Sequence, residues 1–446
     1  MNTPLRDFVT AYQRRHSLRL HMPGHKGRGP LGVEKWDITE IDGADVLYHA
    51  EGVIRQSEQN AARLFGAGRT VYSTEGSSLC IRAMIYLAKL HAQGHGRACR
   101  ILAGRNAHKV FINTAALLDV QVSWLYPKNA SLLTCLASPE EWEAALERER
   151  PTAVYLTSPD YLGNRADVAA LARVCHAHGA LLLVDNAHGA YLKFLPASQH
   201  PMDLGADLCC DSAHKTLPAL TGAAYLHIAS DPFLMAQADQ AMALFASTSP
   251  SYLILQSLDL VNAALAGDFP DRLARTAALL EKARESLTDI PFVGQEPMKW
   301  TIRAKPLGYT GEELAAWLSA QGVECEFADP DFVVMMFSPQ NTRQEIERLR
   351  ALLMTIPRKE PVLSMPPALP RPVQRMSPHD ALMSPRETLP LCQAEGRVLA
   401  AACVTCPPAV PVVTLGQEID RRAVACMEYY HVQTCMVVAD SNMSNL

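Results

Sequence analysis

The sequence lacks the features that would place a protein in a membrane, on a nucleic acid or in a secretory pathway. It has no run of about 18 apolar residues, so no membrane-spanning helix is expected. Its formal net charge of −5 provides no basic surface for nucleic acid. Residues 1–7 lack the apolar core of a signal peptide, and we therefore expect a cytoplasmic protein.

The cysteines do not have the spacing of a metal site. Twelve cysteines are scattered over 446 residues. Cys209 and Cys210 lie inside a predicted core strand, where thiols pack as small apolar groups. Cys403 and Cys406 form a C-x-x-C pair, but no second pair at zinc-finger spacing accompanies it, and two prolines follow at once. We expect structural cysteines and no bound metal.

Length and periodicity predict an α/β enzyme with more than one domain. A chain of 446 residues is too long for one compact domain, and 48% hydrophobic with 20% charged residues is ordinary for a soluble enzyme. Helix-like segments at 56–65, 79–91 and 168–178 alternate with apolar strand-like segments. The strand-like segments are 70–73, 100–103, 120–124, 153–157, 181–184, 206–210 and 223–228. Such alternation indicates a mostly parallel central sheet flanked by helices on both faces.

The remaining segments suggest five regions. Residues 1–50 read as an irregular N-terminal arm, and 51–255 as the large domain. Residues 256–356 mix a long helical region with strand-like runs, which suits a smaller α+β domain. Residues 357–378 contain seven prolines and read as a linker, followed by a short C-terminal domain at 379–446.

An acid and a lysine at neighbouring strand ends are the most informative residues. Asp185 ends one apolar run, and Lys215 follows the next one by a few residues. The carboxyl ends of parallel strands meet at the crevice where α/β proteins bind ligands. A lysine can form a Schiff base with an aldehyde cofactor, and a carboxylate can keep a pyridine nitrogen protonated. The pair therefore predicts a pyridoxal 5'-phosphate site.

A second motif suits the phosphate of such a cofactor. Thr74, Gly76, Ser77 and Ser78 lie between a predicted strand and a predicted helix. A helix N-terminus offers free N–H groups and positive potential to an anion. The same residues are also ordinary helix caps, so the motif gains weight only from the acid and lysine downstream.

Three further loops are candidates with ordinary alternatives. His108 follows a strand end and could stack on a flat ring, although a loop histidine is more often solvated. Residues 158–163 could contact a cofactor or could only form a turn. Residues 21–27 could be a surface loop or an arm that reaches a neighbouring subunit.

These motifs, in this order, resemble the ornithine/lysine/arginine decarboxylase family, which are pyridoxal-phosphate enzymes of the aspartate-aminotransferase-like fold. The resemblance spans most of residues 1–260. Its segments are 21–27 (HMPGHKG), 42–45 (DGAD), 74–78 (TEGSS), 105–109 (RNAHK), 185–188 (DNAH), 212–215 (SAHK), 248–253 (TSPSYL) and 257–259 (SLD). The tail is similar at 394–398 (AEGRV), 406–411 (CPPAVP) and 416–418 (GQE), but it has Cys406 to Ala409 where the family usually has Tyr-Pro-Pro-Gly.

The resemblance implies a role for each matching residue. Lys215 would be the Schiff-base lysine, Asp185 the partner of the pyridine nitrogen, His108 the ring-stacking residue, and His188 a residue at the cofactor's face or edge. The implied cofactor contacts are Thr74, Gly76, Ser77, Ser78, His108, Asp185, His188, Ser212, His214, Lys215 and, from the other subunit of a dimer, Thr248.

The family implies decarboxylation of arginine, lysine or ornithine to an amine and CO₂, a reaction of polyamine biosynthesis, in a homodimer or higher homo-oligomer with active sites at the interface. The lysine and the fold alone leave other chemistries open, namely an aminotransferase, an aldol-type lyase or a non-catalytic pyridoxal-phosphate-binding protein. The sequence does not choose the substrate, and Glu75, Asp160 and the acidic residues of the tail are candidate partners for its distal cation.

Overall fold

A computed structural model describes residues 1–128, 131–402 and 409–440. The chain divides into two compact units, each made of separate stretches of sequence. The first unit contains residues 1–98 and 168–275, and the second contains residues 99–167 and 276–446. The architecture is α/β, with a mostly parallel central sheet flanked by helices, as the alternating pattern predicts.

The described residues form helices and strands in the following order. The helices are α1 (Pro4–Arg14), α2 (Val53–Phe65), α3 (Ser77–Gly94), α4 (Lys109–Leu117), α5 (Pro139–Glu149), α6 (Val168–Ala177), α7 (Ala213–Thr216), α8 (Pro232–Ala243), α9 (Tyr252–Leu265), α10 (Phe269–Glu285), α11 (Gly311–Ala320), α12 (Arg343–Met354), α13 (Pro378–Met383) and α14 (Arg421–Tyr429). The strands are β1 (Arg69–Ser73), β2 (Arg100–Gly104), β3 (Gln121–Leu125), β4 (Ala153–Thr157), β5 (Leu181–Asp185), β6 (Leu208–Asp211), β7 (Ala224–Ile228), β8 (Phe292–Val293), β9 (Lys299–Arg303), β10 (Phe327–Ala328), β11 (Phe332–Met336), β12 (Arg386–Pro390) and β13 (Thr434–Val438).

The first unit contains four strands of the central sheet in the order β1-β7-β6-β5. Strands β5 and β6 are parallel, whereas β7 runs antiparallel to both of its neighbours, β6 and β1. Every residue of β5, β6 and β7 is buried, which explains why these strands appear in the sequence as continuous apolar runs. The parallel β5–β6 pair places Asp185 directly opposite Cys210.

The second unit contains three parallel strands in the order β4-β2-β3 and two antiparallel sheets. One antiparallel sheet has the order β10-β11-β9-β8, and the other pairs β12 with β13. No helix or named strand lies between α12 and α13, the stretch that the sequence predicts to be a linker. Pro378, at the end of that stretch, begins α13, a position where proline's missing N–H costs nothing.

The irregular arm expected at residues 1–50 is wrong for residues 4–14, which form α1. Leu5, Val9 and Tyr12 are buried at spacings of four and three residues, which is one face of a helix. Pro4 stands in the first turn, where its fixed φ favours a helix start. Among the described residues, no helix combines the length and apolar character needed to cross a membrane.

Glu58 joins α2 to the sheet by a buried carboxyl group. Its Oε1 accepts the N–H of Tyr72 in β1 at 3.0 Å, and the side chain is 2% exposed. Nη1 of Arg55 lies 3.8 Å from Oε2 of Glu58. Burial raises the pKa of Glu58 to about 8, although the Tyr72 hydrogen bond opposes that rise.

This raised pKa predicts a pH dependence of stability. A carboxyl group with a higher pKa in the folded state binds its proton more tightly there, so its contribution is complete below the unfolded pKa and is lost as pH rises towards 8. Because Glu58→Gln keeps the acceptor for Tyr72 without the ionisation, its urea midpoint should rise relative to wild type between pH 5 and pH 8. Glu51→Gln, at an exposed position on the same segment, is the control and should show no such trend.

Candidate active site

Asp185 lies at the carboxyl end of β5 and is 3% exposed. Its Oδ1 accepts the N–H of Ala187 at 3.2 Å and the thiol of Cys210 at 3.5 Å. Cys210 belongs to β6, so the parallel pairing of the two strands supplies one of these donors. A backbone N–H and a thiol thus help to orient the carboxylate.

Lys215 lies in α7, the single helical turn that follows β6. Its Nζ is 2.9 Å from Nε2 of His188, a residue that follows β5 and is 5% exposed. An ammonium group can only donate a hydrogen bond, so Nε2 of His188 accepts when Lys215 is charged. The two strand ends therefore bring an amine and an imidazole into direct proton-transfer distance.

The N-terminus of α3 is open in the way that an anion requires. Gly76 precedes the helix with a φ of 72°, and no side chain caps the first turn. A Cβ built on Gly76 would meet nothing closer than 4.0 Å, where His214 and the Ser78 N–H lie. Ser212 Oγ donates to Ser77 Oγ at 2.8 Å, so the turn before Lys215 lies against the same helix end. These groups fit a phosphate.

The other predicted phosphate contacts of the first unit lie nearby with differing exposure. Nδ1 of His214 is 2.9 Å from the carbonyl oxygen of Ala223, which fixes the ring beside the N-terminus of α3. Thr74 is half-buried. Thr248 is exposed on the loop after α8, where the N–H of Ser247 donates to Glu75 Oε1 at 2.8 Å. Glu75, a candidate partner for the distal cation of the substrate, therefore accepts a hydrogen bond from its own chain.

Two predicted residues belong to the second unit. His108 caps the N-terminus of α4, with its Nδ1 accepting the Val110 N–H at 3.1 Å, and its ring-stacking role stays a prediction. Asp160 is 2% exposed and stabilises the 158–164 turn, because it accepts the N–H groups of Leu162 and Asn164 at 2.9 Å each and the hydroxyl of Thr134 at 2.5 Å. Burial nevertheless raises the pKa of Asp160.

The tail contacts the loop that carries His108. Ala409 accepts the N–H of Lys109 at 2.8 Å, and Val412 accepts a guanidinium N–H of Arg105 at 2.7 Å. Arg105 is 1% exposed although it carries a charge. The rest of the altered tail motif and the C-x-x-C pair, residues 403–408, lie outside the described residues.

Sequence reasoning assigned no role to a buried polar cluster behind the strand ends. The cluster is formed by Asp211, His200 and His227, each of which is fully buried. A carboxylate and an imidazole inside otherwise apolar strands are the signal that could have revealed it.

The open space at Gly76 makes a test of the candidate phosphate site at the N-terminus of α3 possible. Gly76→Ala adds a methyl group where the anion would lie and strains a positive φ, so it should weaken pyridoxal 5'-phosphate binding by about tenfold or more. Gly96→Ala is the control, because Gly96 also has a positive φ and open surroundings but follows the far end of α3. Equal losses of affinity in both variants would contradict the assignment, and spectrophotometric titration measures them.

Relatives of known name align with nearly the whole chain. Arginine decarboxylase of Bacillus anthracis is 27% identical over 94% of this chain and 90% of its own length. Arginine decarboxylase of Bacillus subtilis is likewise 27% identical, over 94% of this chain and 91% of its own length.

A solved structure shares the fold at lower identity. The lysine decarboxylase of Francisella novicida matches 98% of this chain and 81% of its own with a TM-score of 0.81 and 17% identity. The profile described as Orn/Lys/Arg decarboxylase, major domain, matches residues 3–292, which is well over half of the chain. Together with a lysine, a carboxylate and an open helix end in one unit, this match establishes that the chain belongs to the Orn/Lys/Arg decarboxylase family of pyridoxal-phosphate-dependent enzymes.

Proposed function

We propose that the protein decarboxylates a basic amino acid, namely arginine, lysine or ornithine, to the corresponding amine and CO₂. The observation that carries the proposal is the convergence of Asp185, Lys215 and the open N-terminus of α3 within one compact unit. These are the three groups that a pyridoxal 5'-phosphate molecule needs for its ring nitrogen, its aldehyde and its phosphate. Family membership supplies the reaction class.

Each end of the cofactor has residues that fit it. We assign the phosphate to the α3 N-terminus with Gly76, Ser77, Ser78 and Ser212, and the ring nitrogen to Asp185. When bound, the cofactor supplies an electron sink for the bond that breaks as CO₂ leaves. Asp185 strengthens that sink because its carboxylate holds a proton on the ring nitrogen.

Lys215, next to His188, would supply the proton that replaces the lost carboxylate. The vacated α-carbon must receive a proton after CO₂ is lost, and the donor must lie within hydrogen-bond reach. Lys215 Nζ can give its ammonium proton to the α-carbon, which leaves a neutral amine 2.9 Å from Nε2 of His188. Because that Nε2 accepts from the charged amine and carries no proton of its own, the proton that restores the ammonium comes from the solvent or from the next substrate.

We also propose that the enzyme is a cytoplasmic homo-oligomer, at least a dimer, with Thr248 completing the phosphate site of a partner copy. Thr248 is exposed in its own chain and accessible to such a partner. Leu18, Leu20 and Leu31 of the N-terminal arm are 83%, 82% and 80% exposed, and apolar side chains this exposed favour burial against another protein surface. The ten described cysteines are thiols rather than disulfides, which suits a reducing compartment.

Arginine is the first substrate to test. The Bacillus relatives that align over 93–94% of the chain bear the name arginine decarboxylase. A further match, 30% identical over 40% of the chain, is an O-succinylhomoserine sulfhydrylase of Pseudomonas aeruginosa, so the assay should also report other chemistry.

The test is incubation of the purified protein with arginine, lysine and ornithine separately, read as amine product and CO₂. We expect one of the three to give both products in equal amounts. Keto-acid formation without CO₂ would identify an aminotransferase, and release of an aldehyde an aldol-type lyase. A protein that binds the cofactor but leaves all three amino acids intact would be a non-catalytic binding protein.

Lys215→Ala should abolish both turnover and the absorbance band of lysine-linked cofactor, because no other amine is assigned to the aldehyde. Lys193→Ala is the matched control: Lys193 lies in the same unit, but its ammonium pairs with Asp203 at 2.5 Å. The control should keep the band. Persistence of the band in the Lys215 variant would overturn the lysine assignment.

A further inference from the structure

Asp211 is the last residue of β6, and its carboxylate is fully buried among hydrogen-bond donors. Its Oδ2 lies 2.9 Å from Nε2 of His200 and 3.2 Å from Nε2 of His227. Its Oδ1 accepts the side-chain N–H of Asn186 at 2.6 Å and faces the thiol of Cys209 at 3.8 Å. Burial alone would raise the pKa of Asp211, but the two histidines outweigh it and lower the pKa well below the usual value.

The hydrogen bonds of the two histidines determine where their protons are. Nδ1 of His200 accepts the N–H of Met202 at 3.3 Å, so the ring proton lies on Nε2 and points to Asp211. His227 has Thr70 Oγ1 at 2.8 Å from its Nδ1, and this hydroxyl can donate while Nε2 donates to Asp211. Burial lowers the pKa of His227 and favours its neutral form, although Asp211 opposes this. Asp211 therefore accepts a ring N–H from each of the two histidines.

These bonds connect both strand ends of the active site. Asn186 directly follows Asp185 and is tied to β6 twice, by its side chain to Asp211 and by its N–H to Cys210 at 3.0 Å. Its Oδ1 is buried without a partner among the described residues, because turning the amide over would set that oxygen against the carboxylate. On the other side, Asp211 directly precedes Ser212, whose carbonyl accepts the Lys215 N–H at 3.1 Å.

We propose that Asp211 is a positioning residue of the cofactor site, which locks the turn after Asp185 to the turn before Lys215 so that carboxylate and amine keep one relative position. The proposal rests on the cofactor assignment made above. The carboxylate acts through Asn186 and Ser212 rather than on the cofactor itself. His200 and His227 hold the carboxylate in place from the opposite side.

A metal site is the competing explanation, because ligand atoms of His200, Cys209 and Asp211 lie within 4.8 Å of one another. One observation opposes it. Nδ1 of His200 accepts the Met202 N–H, so Nε2 carries the ring proton, and a nitrogen that carries a proton cannot bind a metal.

The experiment compares cofactor binding by the purified full-length protein and its variants. Asp211→Asn keeps the size of the side chain but sets an amide against donors, so pyridoxal 5'-phosphate should bind about 10- to 100-fold more weakly. The absorbance maximum of the lysine-linked cofactor should also shift, because the lysine and its partners lose their fixed geometry. His200→Phe keeps a ring against Phe65, removes one donor and should produce a smaller loss.

Asp259→Asn is the matched control. Asp259 is also fully buried in the first unit, and it accepts neutral donors, Ser57 Oγ at 2.5 Å and the Arg6 N–H at 2.9 Å. This variant should bind the cofactor with wild-type affinity and absorbance, whatever its melting temperature.

Three results would overturn the proposal: wild-type cofactor affinity in folded Asp211→Asn, or in folded His200→Phe if the first variant does not fold; an equal loss of affinity in Asp259→Asn; or one equivalent of tightly bound transition metal in the wild-type protein. Because the readout is binding and absorbance, it does not depend on the reaction. A wild-type protein that binds the cofactor without releasing CO₂ would refute the proposed function and leave the role of Asp211 intact.

Discussion

The parallel pairing of β5 with β6 is the constraint on which the site depends. It places Asp185 opposite Cys210. The loops that follow β5 and β6 therefore leave the sheet side by side, although they are far apart in sequence. His188, from the first loop, then reaches Lys215, from the second, at 2.9 Å. Strands whose residues are all buried cannot slip in register without exposing apolar surface. The fixed register therefore determines where the loops that carry His188 and Lys215 begin.

Two buried carboxylates at the strand ends, those of Asp185 and Asp211, accept several hydrogen bonds each. Asp185 accepts a backbone N–H and a thiol, and Asp211 accepts two imidazoles and an amide. Such hydrogen bonds compensate a buried carboxylate for the water that it loses. Glu58, which accepts one backbone N–H, is less well solvated, and its pKa rises.

The accuracy of the sequence predictions follows from which forces act locally. The strand at 153–157 and the helix start at Val168 are predicted at the observed positions, and Gly179 has the positive φ expected after a helix. Apolar runs and glycine carry such information within a few residues. Helix α1 is not predicted from the sequence because its buried residues form a narrow apolar face and charged residues lie between them along the chain. The antiparallel direction of β7 is also absent from the local pattern, since a fully buried strand reads the same in either direction.

By itself, the sequence determined the fold class and the family, and it predicted the principal site residues, because order and residue type along the chain suffice to recognise strand ends with an acid, a lysine and a small-residue loop. Only the tertiary structure decided which of these side chains meet: the Lys215–His188 contact, the open space at Gly76, and the engagement of Asp160 within its own turn. The proposed role of Asp211 likewise depends on the tertiary structure, because its donors come from positions 186, 200 and 227. Contacts between residues so far apart in sequence arise from strand order and packing, which local preferences do not encode.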